Sequence, residues 1–277
     1  MIMCMCIHTR KENANRMEII AIVAQKGGVG KTSSAQAIGS GLALFHGARV
    51  LFVDTDAQGN LSRSMEADRS GATPDTLEAL TGRATAREAI QHTPQGDIIA
   101  SSPALSGADR EDTLSKIGRE YRLKNALEGI SDQYDYCIID TPPALSIITV
   151  NALTACHRAI IPAQADDYSI DALEHLKETI DTVRTYCNPS LSVDGILLTR
   201  YNGRSVLSRE IAEMMETQAA ALGTRVYTTR IRECTAIKEA QAMREALFTY
   251  SPRSNAAKDY KSVIEEIMGR KNNGKNI

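Results

Sequence analysis

The sequence lacks tryptophan, has only three phenylalanines, and contains 4% aromatic residues over 277 positions. Its core must therefore be built mainly from aliphatic side chains. With 43% apolar residues, the chain can bury one large domain or two small ones. No apolar run approaches the roughly 18 residues that a membrane-spanning helix needs. The sequence therefore excludes a helical membrane protein and predicts no membrane partner.

Cysteines with metal-ligand spacing are also missing. The six cysteines stand at positions 4, 6, 137, 156, 187 and 234, and none forms a CxxC pair. This usage argues against a disulfide framework and against a zinc site, and it is typical of a protein from the reducing cytosol. Cys137 and Cys156 lie in apolar contexts and are predicted to be core residues.

A strong net charge is missing as well, since the formal charge is −2 and the pI is about 6.2. Any binding to nucleic acid must therefore come from a local patch. Residues 225–275 carry 11 Lys and Arg against 6 Asp and Glu, whereas residues 1–224 carry 21 against 28. A basic C-terminal segment suits phosphate binding by counterion release, although solvated helix faces would also explain it.

The order of apolar runs predicts an α/β fold, a doubly wound and mostly parallel sheet with helices on both faces. The predicted strands are 19–24, 49–53, 97–100, 136–140, 158–162, 193–199 and 226–231. The predicted helices are 31–46, 75–80, 86–90, 118–130, 145–155, 169–186, 205–222, 234–245 and 256–268. Since no repeat or long linker divides the chain, we predict one domain at 17–268, a flexible N-terminal tail at 1–16 and a polar C-terminal tail at 269–277.

The first predicted strand runs into a glycine-rich stretch, KGGVGKT, at residues 26–32. Glycines permit the tight turn, and the helix that follows presents free N–H groups and its dipole to an anion. In a P-loop the lysine, here Lys31, reaches the β- and γ-phosphates, and the next hydroxyl, here Thr32, ligates Mg²⁺. The stretch is a variant, because its first glycine is lost and a second lysine, Lys26, is gained.

Acidic residues follow two other predicted strands. Asp54 and Asp56 begin the stretch DTDAQGN, and Asp140 precedes TPP. Ligands bind at the carboxyl ends of strands in open α/β sheets. Asp54 is predicted to hold Mg²⁺ through water, Asp56 to orient the attacking water, and Asp140 to be an outer Mg²⁺ ligand and γ-phosphate sensor. Each aspartate alone could simply cap a helix or a turn, but the three stretches together favour a nucleotide-hydrolysing site.

With KGGVGKT, DTDAQGN and IIDTPP in this order, the chain resembles the deviant Walker-A ATPases, and specifically the ParA/Soj-type partition ATPases. The resemblance runs from about residue 17 to residue 268, and includes the later stretches LLTRYNGR, VYTTRIREC and KEA. It implies a P-loop NTPase fold, ATP and Mg²⁺ as cofactors, and an ATPase that is weak alone and stimulated by a partner protein.

The resemblance also implies roles that spacing does not assign. Lys26 matches the signature lysine, which crosses to the partner subunit's nucleotide, so that ATP is buried in a face-to-face homodimer. Thr199 matches a position near the adenine, and the backbone at 231–233 is expected to close over the base. The predicted catalytic residues are Lys26, Lys31 and Asp56, and the predicted metal ligands are Thr32, Asp54 and Asp140. The predicted ATP-binding residues are Lys26, Gly27, Gly28, Val29, Gly30, Lys31, Thr32, Ser33, Thr199 and Arg232.

In this family the ATP-bound dimer binds double-stranded DNA without sequence preference, and a ParB-like centromere-binding protein triggers hydrolysis. The predicted DNA-binding residues are Arg204, Arg232 and Lys238. Arg204 matches one basic position of the family, but Ala236 occupies another, and Arg232 and Lys238 flank that gap. A second departure is Ala57, which replaces the usual proline and is expected to loosen the segment after Asp56.

Other branches of the superfamily predict features that this sequence does not have. A MinD-like membrane positioner would end in an amphipathic basic helix, whereas this chain ends in MGRKNNGKNI. Two hypotheses remain. One is a cytoplasmic partition ATPase that associates with the nucleoid when ATP-bound. The other is a ParA-like spatial regulator or scaffold that positions a protein cargo with little or no DNA binding.

Overall fold

The computed structural model describes residues 17–110 and 117–273, and these build a seven-stranded sheet. Its strands are β1 (Glu18–Ile22), β2 (Val50–Asp54), β3 (Ile90–Thr93), β4 (Gly96–Ile99), β5 (Tyr136–Asp140), β6 (Arg158–Gln164) and β7 (Ser192–Thr199). Their order is β3-β4-β2-β5-β1-β6-β7, and only the β3–β4 pair is antiparallel. The predicted doubly wound, mostly parallel sheet is confirmed.

Helices connect the strands and cover the sheet. They are α1 (Lys31–His46), α2 (Asn60–Ser64), α3 (Thr76–Thr81), α4 (Ala86–Ala89), α5 (Arg122–Glu128), α6 (Ile147–Ala155), α7 (Asp167–Tyr186), α8 (Val206–Ala221), α9 (Thr235–Ala242), α10 (Leu247–Tyr250) and α11 (Asn255–Asn273). Among the described residues, no helix is both long enough and apolar enough to cross a membrane.

Strand β1, which lies between β5 and β6, supplies side chains to both faces of the sheet. Ile19 and Ala21 belong to the core cluster that includes residues of α6, α7 and α8, whereas Ile20 and Ile22 belong to the cluster under α1 and α11. Successive strand residues point to opposite faces, so a strand covered on both sides reads as a continuous apolar run. This burial explains why the central strands were readable from the sequence.

The register of the sheet brings the predicted motifs together. Asp54 at the end of β2 pairs in register with Asp140 at the end of β5, and Asp140 pairs with Ile22 of β1. The phosphate loop leaves β1 at the same edge. The carboxyl ends of three neighbouring parallel strands therefore carry the three chemical stretches, as the doubly wound topology requires.

The predicted strand at 226–231 is wrong. This segment meets β7 at both its ends, through an isolated bridge at Val226 and through the Ile231 amide, which donates to the Leu198 carbonyl oxygen at 2.8 Å, but no ladder forms between them. The reason lies in the amides of Thr228 and Thr229, which donate to the carboxylate of Glu266 at 3.2 and 2.8 Å. A side chain of α11 thus takes the hydrogen bonds that a neighbouring strand would have received.

Other element boundaries also differ. The short strand β3 was not predicted, because its sequence IQHT is polar and only partly buried. The predicted helix at 118–130 is a 3₁₀ turn at Arg119–Tyr121 followed by α5, and α11 continues to Asn273, into the predicted polar tail. The predicted N-terminal tail, 1–16, lies outside the described residues, as do 274–277. Cys137 and Cys156 are fully buried, which confirms them as core residues.

Candidate active site

The loop between β1 and α1 has the geometry of an anion cradle. Gly28 and Gly30 have φ of +77° and +87°, in the left-handed region that glycine adopts without strain. Gly30 is the N-cap residue of α1 and offers no side-chain acceptor, and the first turn of α1 contains no acidic residue. The N–H groups at this helix N-terminus are therefore free of a side-chain cap and can bind an anion.

Lys31 begins α1 and is 7% exposed. Its Nζ donates to the carbonyl oxygen of Lys26 at 3.2 Å. Burial lowers the pKa of Lys31, although the charges of Asp140 and Asp56 act in the opposite direction. A buried cation of this kind gains most when an anion, such as a nucleotide phosphate, enters the site.

Thr32, Asp54 and Asp140 meet below the loop. The Thr32 hydroxyl donates to Asp140 Oδ2 at 2.7 Å. Asp54 is fully buried and accepts bonds from the amide and the hydroxyl of Ser62, at 2.8 and 2.7 Å, and from the Asp56 amide at 3.1 Å. These contacts and the pairing of Asp54 with Asp140 place two carboxylates at the edge of the sheet, one of which accepts from the Thr32 hydroxyl.

The electrostatics of this pair suit a divalent cation. Burial raises the pKa of Asp54 to about 6, against the hydrogen bonds from Ser62. Burial and the charge of Asp54 raise the pKa of Asp140 well above its ordinary value. Asp140 Oδ1 is buried and accepts no hydrogen bond from the described residues. Carboxylate and hydroxyl oxygens are the ligands that Mg²⁺ prefers. A cation at this point would offset the repulsion between the two carboxylates and would give Asp140 Oδ1 a partner. The site therefore fits Mg²⁺.

We expect Mg²⁺ binding to weaken as the pH falls through about 6, because protons compete with the cation for Asp54. For one carboxylate of this pKa, lowering the pH from 7.5 to 5.5 weakens the apparent Mg²⁺ affinity about fourfold, and Asp140 adds to the loss. The measurement is a Mg²⁺ titration of fluorescent ATP on the chain at both pH values. Asp54→Asn is the control, and a wild-type affinity no more pH-dependent than that of the variant would contradict the prediction.

The stability of the metal-free chain follows the opposite course. Because the pKa of Asp54 is raised on folding, its charged form destabilises the folded state above about pH 6. That cost declines as the pH falls through 6 and is gone below the ordinary value of 3.8.

Asp56 is half-buried at the start of the turn after β2. Its Oδ1 accepts from the Gln58 amide at 2.9 Å, and its carbonyl oxygen accepts from the Ser101 hydroxyl at 2.6 Å. Unlike Asp54 and Asp140, which lie beneath the site, Asp56 lines an open cleft of about 850 Å³. Asp56 is therefore the most accessible of the three aspartates.

The same cleft brings together most of the predicted nucleotide residues. Those that line it are Gly27, Gly28, Gly30, Lys31, Thr32, Ser33, Asp56, Thr199 and Arg232. Val29 is buried behind the loop, where its carbonyl oxygen accepts from the Thr199 hydroxyl at 2.8 Å. Thr199 thus braces the loop as well as lining the cleft.

Lys26 does not line this cleft. Its Nζ lies 2.5 Å from Asp166 Oδ2 and 5.7 Å from the centre of the Tyr168 ring. Asp166 is the N-cap of α7, where it accepts from the amide of Ser169 at 3.0 Å. The additional lysine is therefore held on the β6–α7 connection, away from the phosphates that its own loop would bind.

The predicted DNA-binding residues differ in their surroundings. Arg204 and Lys238 are exposed, and Lys238 lies at the rim of the cleft. The guanidinium of Arg232 forms a two-bond pair with Asp259, at 2.9 and 2.6 Å. Ala236 is buried against the core and offers no contact.

Several residues of the site were not predicted. Ser62 and Ser101 hold the acidic segment, Asp166 holds Lys26, and Arg63 and Arg244 add positive charge to the cleft. None belongs to a spaced motif. Their roles arise from contacts between distant loops, which one sequence does not reveal.

Comparison with known proteins identifies the family. A model described as an AAA domain, AAA_31, matches residues 17–193. The sporulation initiation inhibitor protein Soj of Bacillus subtilis is 35% identical over 252 residues, 90% of this chain and 98% of Soj. The chromosome partitioning protein ParA of Caulobacter vibrioides is 35% identical over 263 residues, 93% of this chain and 96% of ParA.

Solved structures agree with this relationship. One from Mycobacterium smegmatis, described as cobyrinic acid a,c-diamide synthase with a bound ATP analogue and magnesium, is 30% identical with a TM-score of 0.80, covering 93% of this chain and 97% of that one. The ATP complex of McdA from Cyanothece is 26% identical with a TM-score of 0.81, covering 91% and 96%. The chain thus belongs to the ParA/Soj family of ATPases, and it has the P-loop fold that its motifs predicted.

Proposed function

We propose that this chain is the Mg²⁺- and ATP-dependent ATPase of a DNA partition system of the ParA/ParB type. Its ATP-bound form is a homodimer that binds double-stranded DNA without sequence preference. A ParB-like centromere-binding protein stimulates its slow hydrolysis of ATP to ADP and phosphate. It acts in the cytoplasm, associated with the nucleoid while ATP is bound, and residues 17–268 form the working domain.

The observation that carries the nucleotide part is the Thr32–Asp54–Asp140 cluster with its orphan oxygen, directly below an anion-binding loop. The N–H groups of the loop and of the α1 N-terminus bind the phosphates, and Lys31 neutralises them. Thr32, Asp54 and Asp140 would hold Mg²⁺, which would neutralise negative charge on the β- and γ-phosphates.

Hydrolysis in this proposal depends on Asp56, whose carboxylate lines the cleft. It accepts a hydrogen bond from the attacking water and orients that water toward the γ-phosphate. The protein's part in phosphoryl transfer is mainly positioning and charge stabilisation, so the loop around Asp56 must be firmly held. Its carbonyl is fixed by Ser101, and its amide is fixed by Asp54.

The dimer depends on Lys26. In its own subunit the lysine pairs with Asp166 and lies outside the cleft. A cation in that position can bind the phosphates of a nucleotide on a facing subunit more readily than those of the nucleotide in its own cleft. Together with the resemblance to the deviant Walker-A loop, this placement supports an ATP-bridged homodimer.

DNA binding is supported by the basic segment at 225–275 and by the family. Arg204 and Lys238 are exposed cations, and Arg63 and Arg244 add two more at the cleft. Arg232 contributes less net charge, because Asp259 neutralises it. The proposed contacts are therefore Arg204 and Lys238, with Arg232 a weaker third.

We expect the full chain, trapped with ATP by Asp56→Ala, to shift plasmid DNA in a gel at low salt, and to release it with ADP or without nucleotide. Retention should fall steeply as salt rises, since phosphate contacts release counterions. Arg204→Gln combined with Lys238→Gln should weaken retention, whereas Arg87→Gln, at an exposed arginine of α4 outside both the cleft and the basic segment, should not. An ATP-bound dimer that leaves DNA unshifted would overturn the partition proposal.

The second candidate function is a spatial regulator that positions a protein cargo. The likeness to McdA and the buried alanine at 236 favour it. The gel shift separates the two, because a cargo positioner with little DNA binding dimerises with ATP yet leaves plasmid DNA free.

A further inference from the structure

Arg69 lies between α2 and α3, outside every motif of the sequence, yet its side chain reaches the segment that carries Asp56. Its Nε donates to the carbonyl oxygen of Ser101 at 2.9 Å, and its Nη2 donates to the carbonyl oxygen of Ala57 at 3.0 Å. The residue is half-buried. A single guanidinium thus joins two backbone oxygens from different loops.

Both acceptors adjoin Asp56. Ala57 follows it directly, and the Ser101 hydroxyl donates to the Asp56 carbonyl oxygen at 2.6 Å. The Ser101 amide donates to Ser62 Oγ at 3.0 Å, so Ser101 also connects to the Asp54 side of the site. Arg69 therefore holds the Asp56 segment directly at Ala57 and indirectly through Ser101, by hydrogen bonds from a charged donor, which are stronger than those between neutral groups.

The guanidinium also encloses the turn. Gly59 has φ of +63°, and a Cβ added there would lie 2.3 Å from the Arg69 guanidinium carbon. The arginine therefore packs directly against the Gly59 backbone, closer than any side chain at 59 would permit. The turn from Asp56 to Gly59 is held at both its ends, by the bond to Ala57 and by this contact.

Arg69 is itself anchored to the sheet. The preceding residue, Asp68, donates its amide to Gln91 Oε1 at 2.7 Å, and its carbonyl oxygen accepts from Gln91 Nε2 at 2.9 Å. Gln91 belongs to β3, which is paired along β4. The Asp68 carboxylate accepts from the Ser70 amide at 2.8 Å and so fixes the turn around the arginine. The residue before Arg69 is thus hydrogen-bonded to a strand of the sheet and not to a loop.

We propose that Arg69 is a positioning residue that sets the Asp56 carboxylate for water attack. Ala57 leaves this segment freer, since a proline at 57 would restrict φ to about −65° by its ring, and alanine does not. In this chain the guanidinium restrains the same segment at the next peptide, through the Ala57 carbonyl oxygen. The proposal rests on the proposed hydrolytic role of Asp56 and concerns how the Asp56 carboxylate is held in position for that role.

The test compares Arg69→Ala, Arg69→Lys and Arg253→Gln in steady-state ATP hydrolysis by the full chain. A displacement of about 1 Å costs on the order of 100-fold in rate, so we expect kcat of Arg69→Ala to fall 10- to 100-fold while KM for ATP changes less than about threefold. Arg69→Lys should recover only part, because an ammonium lacks the planar fork that spans two acceptors. Arg253→Gln is the control for loss of one positive charge, at an exposed arginine outside the cleft, and it should hydrolyse ATP as the wild type does.

Free guanidinium at millimolar concentration should restore part of the activity of Arg69→Ala and leave Arg69→Lys and the wild type unchanged. A kcat within threefold of wild type for both Arg69 variants would overturn the proposal. A second result would also overturn it. If Arg69→Ala loses kcat together with a raised KM and a lowered Tm, and guanidinium does not restore its activity, the variant has a folding defect rather than a misplaced Asp56. If Arg69→Ala does not fold, the KM and kcat of Arg69→Lys decide. Asp56→Ala separates the two proposals, since retained hydrolysis by that variant would refute the hydrolytic role of Asp56, on which the role of Arg69 rests.

Discussion

Replacing Asp56 with alanine is expected to slow ATP hydrolysis by about 10²–10⁴-fold while leaving ATP binding nearly unchanged. The carboxylate lines the cleft but makes only one side-chain hydrogen bond among the described residues, to the amide of Gln58. The phosphate-binding groups and the proposed metal ligands are separate from it. Its loss should therefore remove the group that orients the water and spare the groups that hold the nucleotide.

The measurement is phosphate release at saturating Mg-ATP, with ATP affinity determined independently by fluorescence titration. Asp132→Ala is the matched control, because Asp132 is an exposed aspartate on the α5–β5 connection, outside the cleft. Hydrolysis by Asp56→Ala within threefold of wild type would show that another group orients the water. A loss of ATP binding of the same size as the loss in rate would assign Asp56 to binding instead.

The parts of this molecule that the sequence predicts best are those where burial and chemistry coincide. The strand at Tyr136–Asp140 was predicted with the bounds that the structure has, because five buried residues in a parallel sheet read as a continuous apolar run. The strand's last residue carries the chemistry. Since parallel strands end at one edge, the places of Asp54 and Asp140 at strand ends predicted a common edge, whereas the direct pairing of their strands is seen only in the structure.

What sequence reasoning could not supply are polar contacts between loops. Lys26 and Asp166 are 140 positions apart, and the bond from Arg69 to Ser101 spans 32. No periodicity marks such pairs, because each depends on where a loop lies rather than on a repeating face. The wrongly predicted strand at 226–231 has the same origin. Its apolar ends are typical of a strand, but the amides of Thr228 and Thr229 in its middle donate to the Glu266 carboxylate of α11.

The second large effect concerns Lys26. Lys26→Gln is expected to abolish ATP-dependent dimerisation and to leave nucleotide binding by the monomer. Binding by one subunit uses the loop amides, Lys31 and the buried acids, none of which Lys26 contacts except through its backbone carbonyl. Light scattering with Mg-ATP measures the result, in the Asp56→Ala background so that ATP persists. A variant that still forms a full dimer would refute the role across the interface.

The partner of Lys26 makes that test sharper. The pair with Asp166 has side chains 28% and 33% exposed, and exposed ion pairs contribute about 0.2–1 kcal/mol. The triphosphate of the facing nucleotide carries more negative charge than one carboxylate, so exchanging Asp166 for that nucleotide is favourable. Asp166→Asn should therefore dimerise at the wild-type ATP concentration or a lower one. If Asp166→Asn instead loses the dimer as Lys26→Gln does, then Asp166 orients Lys26 toward the facing subunit and does not compete with the nucleotide for it.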